Sequence, residues 1–520
     1  MEEQKRRVAS AAVLVMALFA LSRLLGVARE MLIAAHFGAS AEYDAYLAAV
    51  RIPDILFTLI AGGALGSAFI PTFAGHFAQD DAVGGWRLAG AVINLLLIVS
   101  TVAAALVGLM APLVVRYLLA PGFSAQQRAL TVSLMRVMLA APVFFGVSGV
   151  VMGILNARQH FLLPALAPSM LNLALIGAVI ALTPAMGIRA LAWGYLLGAV
   201  LHLVVQLPGL FWVRARLRSM VTLHHPGVYR ILQLMGPRVL GLAAVQANFL
   251  VNTNLASRLG AGAISAINYA WILMLLPQGV FAQAVGTAVF PTFAEQAAQE
   301  ERSAMRATLA ATLRAIISLS VPATVGLILL GEPLVALLFE RGAFQAASTE
   351  MVTWALGFYA LGLVGHAGLE VIARAFYALQ DTLTPVWVNV SAMVVNLVLS
   401  LLLMNAFAWL GLLPHGGLAL ANSIATLMEA GGLLLLIWRR LGGIEGRRTL
   451  TAGLKSVVAS AAMGAALLGW RAVLAERTAW IVGGVGILLG LAVYGVVAVL
   501  LQARGIREAV RLARRRRVSG

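Results

Sequence analysis

The sequence predicts an all-α polytopic membrane protein: about 14 transmembrane helices, in two parallel six-helix lobes around a central cavity plus two C-terminal helices. Three observations lead there. Of the 520 residues, 61% are hydrophobic and only 11% charged, with a mean hydropathy of +0.94. A water-soluble chain of this length cannot hide that much apolar surface, so lipid is the solvent for most of it. Apolar stretches long enough to span a bilayer recur fourteen times. A six-span pattern also repeats once, at an offset near 220 residues.

In order, the stretches cover 8–36, 43–74, 87–111, 129–155, 162–183, 189–213, 230–256, 262–293, 305–330, 350–378, 384–407, 416–438, 450–472 and 479–502. Each approaches or exceeds the ~20 residues needed at 1.5 Å per residue. The runs are continuous rather than alternating, and an open sheet cannot satisfy its edges in lipid, so they are helices. Loop charge orients them. With the N-terminus (Lys5, Arg6, Arg7) in the cytoplasm, that side collects 22 cations, including Arg214, Arg216, Arg218, Arg447, Arg448 and the tail Arg514 to Arg517; the other side collects 7. This fits the positive-inside rule with both termini inside and an even helix count. The first apolar run is too long for a removable signal peptide and lacks a small-residue cleavage site.

The repeat sets the domain plan. Gly66-Ser-Ala-Phe-Ile-Pro-Thr-Phe-Ala74 reappears as Gly286-Thr-Ala-Val-Phe-Pro-Thr-Phe-Ala294, with six of nine positions identical. Ala157-Arg-Gln159 with Pro164 answers Ala378-Leu-Gln380 with Pro385, and Phe37-Gly38-Ala39 answers Leu259-Gly260-Ala261. Six spans separate the copies, an even number, so both share one orientation and are related by an axis along the membrane normal. The expected domains are 1–218 and 219–442 as six-helix lobes, 443–502 as two appended helices and 503–520 as a basic cytoplasmic tail. Two lobes enclosing a cavity form a transporter plan, worked by alternating access.

Several chemistries are excluded. There is no Cys, so no disulfide or thiolate site exists. The eight His form no His-x-x-x-His pair on an apolar segment, so no metal is expected. No Gly-x-x-x-x-Gly-Lys loop is present, and no catalytic constellation stands out. The expectation is a transporter rather than an enzyme, without cofactor, driven by a coupling ion, the membrane potential or the cargo's own gradient. The net charge of +17 sits mostly in loops and tail, where it meets anionic membrane lipids rather than nucleic acid.

The residues that point to a cargo are charges in apolar spans. A charge at the bilayer centre costs roughly 2.5–3.5 kcal/mol on insertion scales, so such residues face a wet cavity or a partner. Arg23 and Arg29 lie in the first span, about 120° apart on a straight helix, with Gly26 between them as a possible bend. In the second span Arg51 shares a face with Asp44 and stands three residues from Asp54; either a substrate-facing set or a structural pair fits. Pro53 interrupts that helix, and Pro71 and Pro291 in the repeated element are candidate hinges, or simply helix ends. Arg238 follows Gly236-Pro237 in the seventh span, the counterpart of the first. Glu370 and Arg374, four apart, are expected to pair. Asn248, Asn252 and Asn254 fit either the lining of the same cavity or bonds between helices, and bonds are expected.

Ser22-Arg-Leu-Leu-Gly-Val-Ala-Arg29, Asp44-Ala45-Tyr46, Phe69-Ile70-Pro71, Ala120-Pro-Gly-Phe123, Ile154-Leu-Asn156, Met235-Gly-Pro237, Gly286 to Pro291 and Leu338-Phe-Glu-Arg-Gly-Ala-Phe344 together resemble the MurJ (MviN) family of lipid II flippases, in the multidrug/oligosaccharidyl-lipid/polysaccharide (MOP) exporter superfamily. The resemblance runs from the first span to the twelfth. It implies movement of the undecaprenyl-diphosphate-linked peptidoglycan precursor from the inner to the outer leaflet of the bacterial cytoplasmic (inner) membrane, for cell-wall synthesis. It implies that Arg23 and Arg29 meet the diphosphate, that Asp44 belongs to the same site, and that the last two helices form a groove for the lipid tail. The chain departs from the family at Phe57, Gly62, Trp271, Ile272 and Leu275, where charges are usual; Arg51 and Arg238 are candidates to compensate.

The competing reading is a flippase for another polyprenyl-diphosphate glycan, of O-antigen or teichoic-acid type. A multidrug exporter of the same superfamily fits less well, because a cationic drug calls for acidic residues.

Overall fold

The computed structural model describes residues 2–59, 68–217, 226–474 and 479–502, with side chains from residue 15 onward except those of 234, 237, 238, 240 and 244. Every regular element among them is helical. The chain divides into two compact units, Met1–Ile264 and Ser265–Gly520.

The first unit holds α1 (Glu2–Phe37), α2 (Ala41–Phe57), α3 (Ile70–Ala78), α4 (Ala82–Leu113), α5 (Ala125–Met138), α6 (Ala141–Ala157), α7 (Leu162–Met186), α8 (Arg189–Val204), α9 (Leu207–Trp212) and α10 (Pro226–Ala256). Helix α1 lies along α7, α7 along α8, α2 along α5, and α4 along α6. Ser40 caps α2 by accepting from Tyr43 N, and Ser124 forms a reciprocal capping box with Gln127 at the start of α5. A π-helical turn, Val114–Leu119, ends α4. Glycine is required after it, because a Cβ on Gly122 would stand 2.4 Å from the Ser257 carbonyl oxygen. This close approach docks the Ala120-to-Phe123 turn on the end of α10. Asn254 Nδ2 adds a bond to Leu118 O at 2.8 Å.

The second unit holds α11 (Ala263–Pro277), α12 (Ala284–Ala298), α13 (Arg302–Phe339), α14 (Ala346–Ala378), α15 (Leu383–Trp409), α16 (His415–Leu441), α17 (Gly446–Val473) and α18 (Gly486–Leu500). Helix α14 packs on α13 and α16, α15 on α16, and α17 on both α13 and α18. π-helical segments join α11 to α12 (Gln278–Gln283) and lead into α18 (Ile481–Val485).

Where their residues are described, the predicted stretches fall on helices, and eleven helices among the described residues are long and apolar enough to cross a membrane. This is a multi-pass membrane protein. The stretches 8–36, 43–74 and 230–256 fall on α1, α2 with α3, and α10, which carry the intramembrane Arg, Asp and Asn residues. Among the described residues two stretches are interrupted by non-helical turns. Span 129–155 divides into α5 and α6, where Pro142 removes a helical donor. Span 189–213 divides into α8 and α9 at a turn, where the freed His202 carbonyl is satisfied by Ser148 Oγ at 3.0 Å and Gln206 Nε2 at 2.8 Å.

The internal repeat has a backbone counterpart. Asp80 and Glu300 take φ of 56° and 55°, and Gln159 and Gln380 take 60° and 59°. Each closes its helix with the same six-to-one bond: Asp81 N to His76 O, Glu301 N to Gln296 O, His160 N to Leu155 O, and Asp381 N to Phe376 O. A left-handed non-glycine residue costs roughly 1–2 kcal/mol, so four of them at matching offsets indicate that the helix ends require this geometry. Phe73 and Phe293 of the repeated Pro-Thr-Phe are both fully buried, each in the apolar core of its own unit.

Candidate functional site

Arg29 and Glu30 of the first unit sit in a bonded network. Arg29 Nη1 donates to Asn172 Oδ1 on α7 at 3.1 Å, and its Nη2 pairs with Glu30. Glu30 is buried, and its Oε2 accepts from Tyr43 Oη of α2 at 3.3 Å. Asn172 Nδ2 donates to Ser22 O at 3.1 Å, so one amide joins two turns of α1. Gly26 faces the same amide, its hypothetical Cβ 3.9 Å from Asn172. Three helices thus hold one guanidinium.

A second group lies on α2. Tyr195 Oη donates to Asp54 Oδ1 at 2.5 Å. The Arg51 guanidinium stands 5.3 Å from the centroid of the Phe249 ring, within cation–π range. Asp54 is within electrostatic reach of both Arg51 and Arg29. Buried Pro53 lies between Arg51 and Asp54. Asp44 is fully buried, and its Oδ2 accepts from Gly262 N at 2.6 Å. It therefore anchors the turn before α11. Arg23 is exposed. The structure brings Arg29, Arg51 and Asp54 into one electrostatic neighbourhood and gives Asp44 a backbone partner. The side chain of Arg238 lies outside the described residues.

Pro71 stands in the first turn of α3, and Pro291 lies inside α12. Gly286, at the head of the second copy of the repeated element, receives the Arg374 guanidinium: a Cβ there would stand 2.2 Å from Nη1. Arg374 pairs with Glu370 at 2.7 Å, the expected i,i+4 bridge. Where charges are usual in the resembled family, Phe57 packs on Phe145 at 4.9 Å, and Trp271 meets Tyr359 and His366, each at 5.3 Å. Ile272 and Leu275 are half-buried, and Gly62 lies outside the described residues. The other lone charges are bonded as well: Arg136 Nε to Gly108 O at 3.1 Å, and Glu429 Oε1 from Asn389 Nδ2 at 3.0 Å.

Sequence reading missed Asn172, Tyr43 and Tyr195. The available signal was weak: each is a lone polar group in an apolar helix, and nothing local shows which charge it meets. Chemically, the site offers guanidinium donors beside carboxylates that already neutralise them. Among the described residues no group of three His, Asp or Glu could hold a metal ion.

The chain matches the family described as lipid II flippase MurJ over residues 33–489. The lipid II flippase MurJ of Burkholderia cenocepacia is 35% identical over 432 residues, 82% of each chain. The probable lipid II flippase MurJ of Rhizobium tropici is 32% identical over 500 residues, 92% of each chain. Among solved structures, a lipid II flippase MurJ in an inward closed conformation superposes with a TM-score of 0.78 at 24% identity, covering 94% of this chain and 99% of that one. An inward-facing MATE multidrug resistance transporter of the MOP superfamily superposes at 0.68 with 16% identity, over 84% of this chain and 99% of that one. The chain shares the fold of these transporters and belongs to the MurJ family of lipid II flippases.

Proposed function

We propose that this protein carries lipid II, the undecaprenyl-diphosphate-linked peptidoglycan precursor, from the inner to the outer leaflet of the bacterial cytoplasmic membrane by alternating access. The observation that carries the reading is the Arg29 network in a chain of this family. A diphosphate bears about two negative charges, and a guanidinium contacts phosphate oxygens in bidentate fashion. Glu30 occupies part of Arg29 until the diphosphate replaces it. Arg23, Arg29, Asp44, Arg51 and Arg238 form the proposed substrate-binding set, with Asp44 acting through the backbone it holds at Gly262. Gly26, Pro53, Pro71 and Pro291 are the proposed hinge or gating positions. Fourteen spans with both termini cytoplasmic, a tail groove on α17 and α18, and a coupling ion or the membrane potential as driving force complete the proposal. Residues 1–218 and 219–442 are its lobes.

The test is rescue of a bacterium depleted of its own lipid II flippase, with the outer-leaflet lipid II pool as readout. Restored exposure is expected with the wild-type chain, and loss with Arg29→Ala at equal expression. No rescue by a well-expressed chain overturns lipid II as the cargo. An active Arg29→Ala overturns the arginine's role.

A further inference from the structure

Away from the Arg29 network, the second unit contains a basic cavity. It has a volume of about 690 Å³, within the roughly 300–1,000 Å³ range of ligand pockets. It opens where α13 and α17 begin, and Arg314, Glu445, Arg447, Arg448, Lys455 and Gln502 supply its polar lining. Arg314 is buried, 7% exposed. It pairs with Glu445 at 3.0 Å, and Glu445 also meets Arg448 at 3.5 Å. Glu445 holds this place in the left-handed region, at φ 50°, a conformation that persists in a non-glycine only when its surroundings demand it. One carboxylate therefore serves two arginines. Among the described residues neither Arg447 nor Lys455 has a carboxylate within salt-bridge distance. In sequence, the 18 residues after Gln502 carry seven Arg and one Glu.

The surroundings say what kind of anion fits. Both walls are membrane-spanning helices. Beside the charged lining, on the neighbouring face of the same helix, α17 exposes Leu450 (66%), Leu454 (59%), Val457 (52%) and Val458 (55%). Their i, i+4, i+7, i+8 spacing makes one apolar stripe, in line with a ligand whose head is anionic and whose tail is hydrocarbon. We infer that this cavity binds the phosphate headgroup of an anionic membrane lipid, held by Arg447, Arg448 and Lys455, with the acyl chains along the α17 stripe. Glu445 is the internal counter-ion that fixes Arg314 and Arg448 in place. A basic pocket between helices at one membrane face is a recognised form of lipid site.

The experiment uses full-length protein in a neutral detergent, titrated with dioleoyl phosphatidylglycerol and followed by native mass spectrometry. Dioleoyl phosphatidylcholine and inorganic phosphate form parallel arms. Arg447→Gln/Lys455→Gln is expected to weaken phosphatidylglycerol binding roughly 30-fold, from two cations near a headgroup. Arg302→Gln/Arg439→Gln removes the same charge outside the cavity and is expected to change binding less than threefold. Lys455→Arg is expected to bind like wild type, and Glu445→Gln to bind more tightly. Equal losses in both double variants, or equal retention of phosphatidylcholine, overturn the proposal. Displacement of the lipid by inorganic phosphate also overturns it, as the site would then serve a soluble anion.

Discussion

Replacing Glu30 by Gln separates a binding role for Arg29 from a structural one, because the two predict opposite signs. Glu30 is buried and holds two bonds, to Arg29 and to Tyr43 Oη. Each carboxylate oxygen carries one bond, Oε1 from Arg29 and Oε2 from Tyr43; Gln removes the charge and has a single acceptor oxygen, so with that oxygen on Arg29 its amide N–H2 faces Tyr43, whose hydroxyl must turn to accept. The Arg29 bond then has one charged partner instead of two and weakens by about 1 kcal/mol, and the Tyr43 bond goes from a carboxylate acceptor, about 1.5–3 kcal/mol, to a reversed neutral one of about 0.5–1.5. The substrate-free protein is therefore expected to lose about 2 kcal/mol of stability. If a diphosphate must displace Glu30 to reach Arg29, the weakened Arg29 bond returns as tighter binding. The Arg29 side chain is 24% exposed, which keeps the gain near 1 kcal/mol, or roughly fivefold. The assay is calorimetric titration of the detergent-solubilised protein with farnesyl diphosphate, with farnesol as the uncharged control, beside thermal unfolding. A lower melting temperature with about fivefold tighter diphosphate binding is expected. A folded Glu30→Gln protein with unchanged or weaker diphosphate affinity would refute the exchange of Glu30 for substrate.

Three other outcomes follow from the packing and the interfacial charges. Gly286→Ala places a methyl group 2.2 Å from Arg374 Nη1 and forces the guanidinium off Glu370. It is expected to cost about 1–3 kcal/mol, and the cost should shrink in an Arg374→Ala background; an unchanged cost in that double-mutant cycle contradicts the contact. Truncating the fully buried Phe293 to Ala should cost about 3–5 kcal/mol, read as lost monodisperse protein on heating. Asp381 lies in the turn between α14 and α15, and the Thr384 N–H, the Thr384 hydroxyl and Arg440 hold its carboxyl below the usual carboxylate range. A depressed folded-state pKa stabilises the protein above the unfolded value near 3.9. That contribution should therefore be constant from neutral pH to about pH 5 and disappear as pH falls through the folded value. Melting curves of wild type and Asp381→Asn should converge in acid; a gap that widens there contradicts the assignment.

Much of the architecture was legible because lipid imposes it locally. A helix must satisfy its own backbone in hydrocarbon, so each apolar stretch reads directly as an element. The Glu370–Arg374 bridge and the Asn254 bond were readable for a similar reason, since local spacing or the cost of a bare amide in lipid dictates them; Asn252 differs from the expected bond between helices, donating to Asn248 Oδ1 within α10 at 2.8 Å. The partners of Arg29 and Asp44 were not legible. Asn172 lies 143 residues from Arg29, and Gly262 lies 218 residues from Asp44; no periodicity connects groups that meet only through tertiary packing. Asp44 illustrates the limit, since a buried carboxylate that reads as a ligand accepts a backbone N–H. The break between α8 and α9 is of the same kind, stabilised by Ser148 from a separate helix.

The central claim, that a chain built around Arg29 moves lipid II across the membrane, is tested most directly by outer-leaflet lipid II in cells depleted of their own flippase. The measurement compares wild type, Arg29→Lys and Arg29→Ala at matched expression. Full exposure with wild type, a reduced level with Lys, which keeps charge but loses bidentate geometry, and none with Ala is the predicted order. Outer-leaflet lipid II that stays at the depleted level with the wild-type chain, or that is restored equally by all three, contradicts the account.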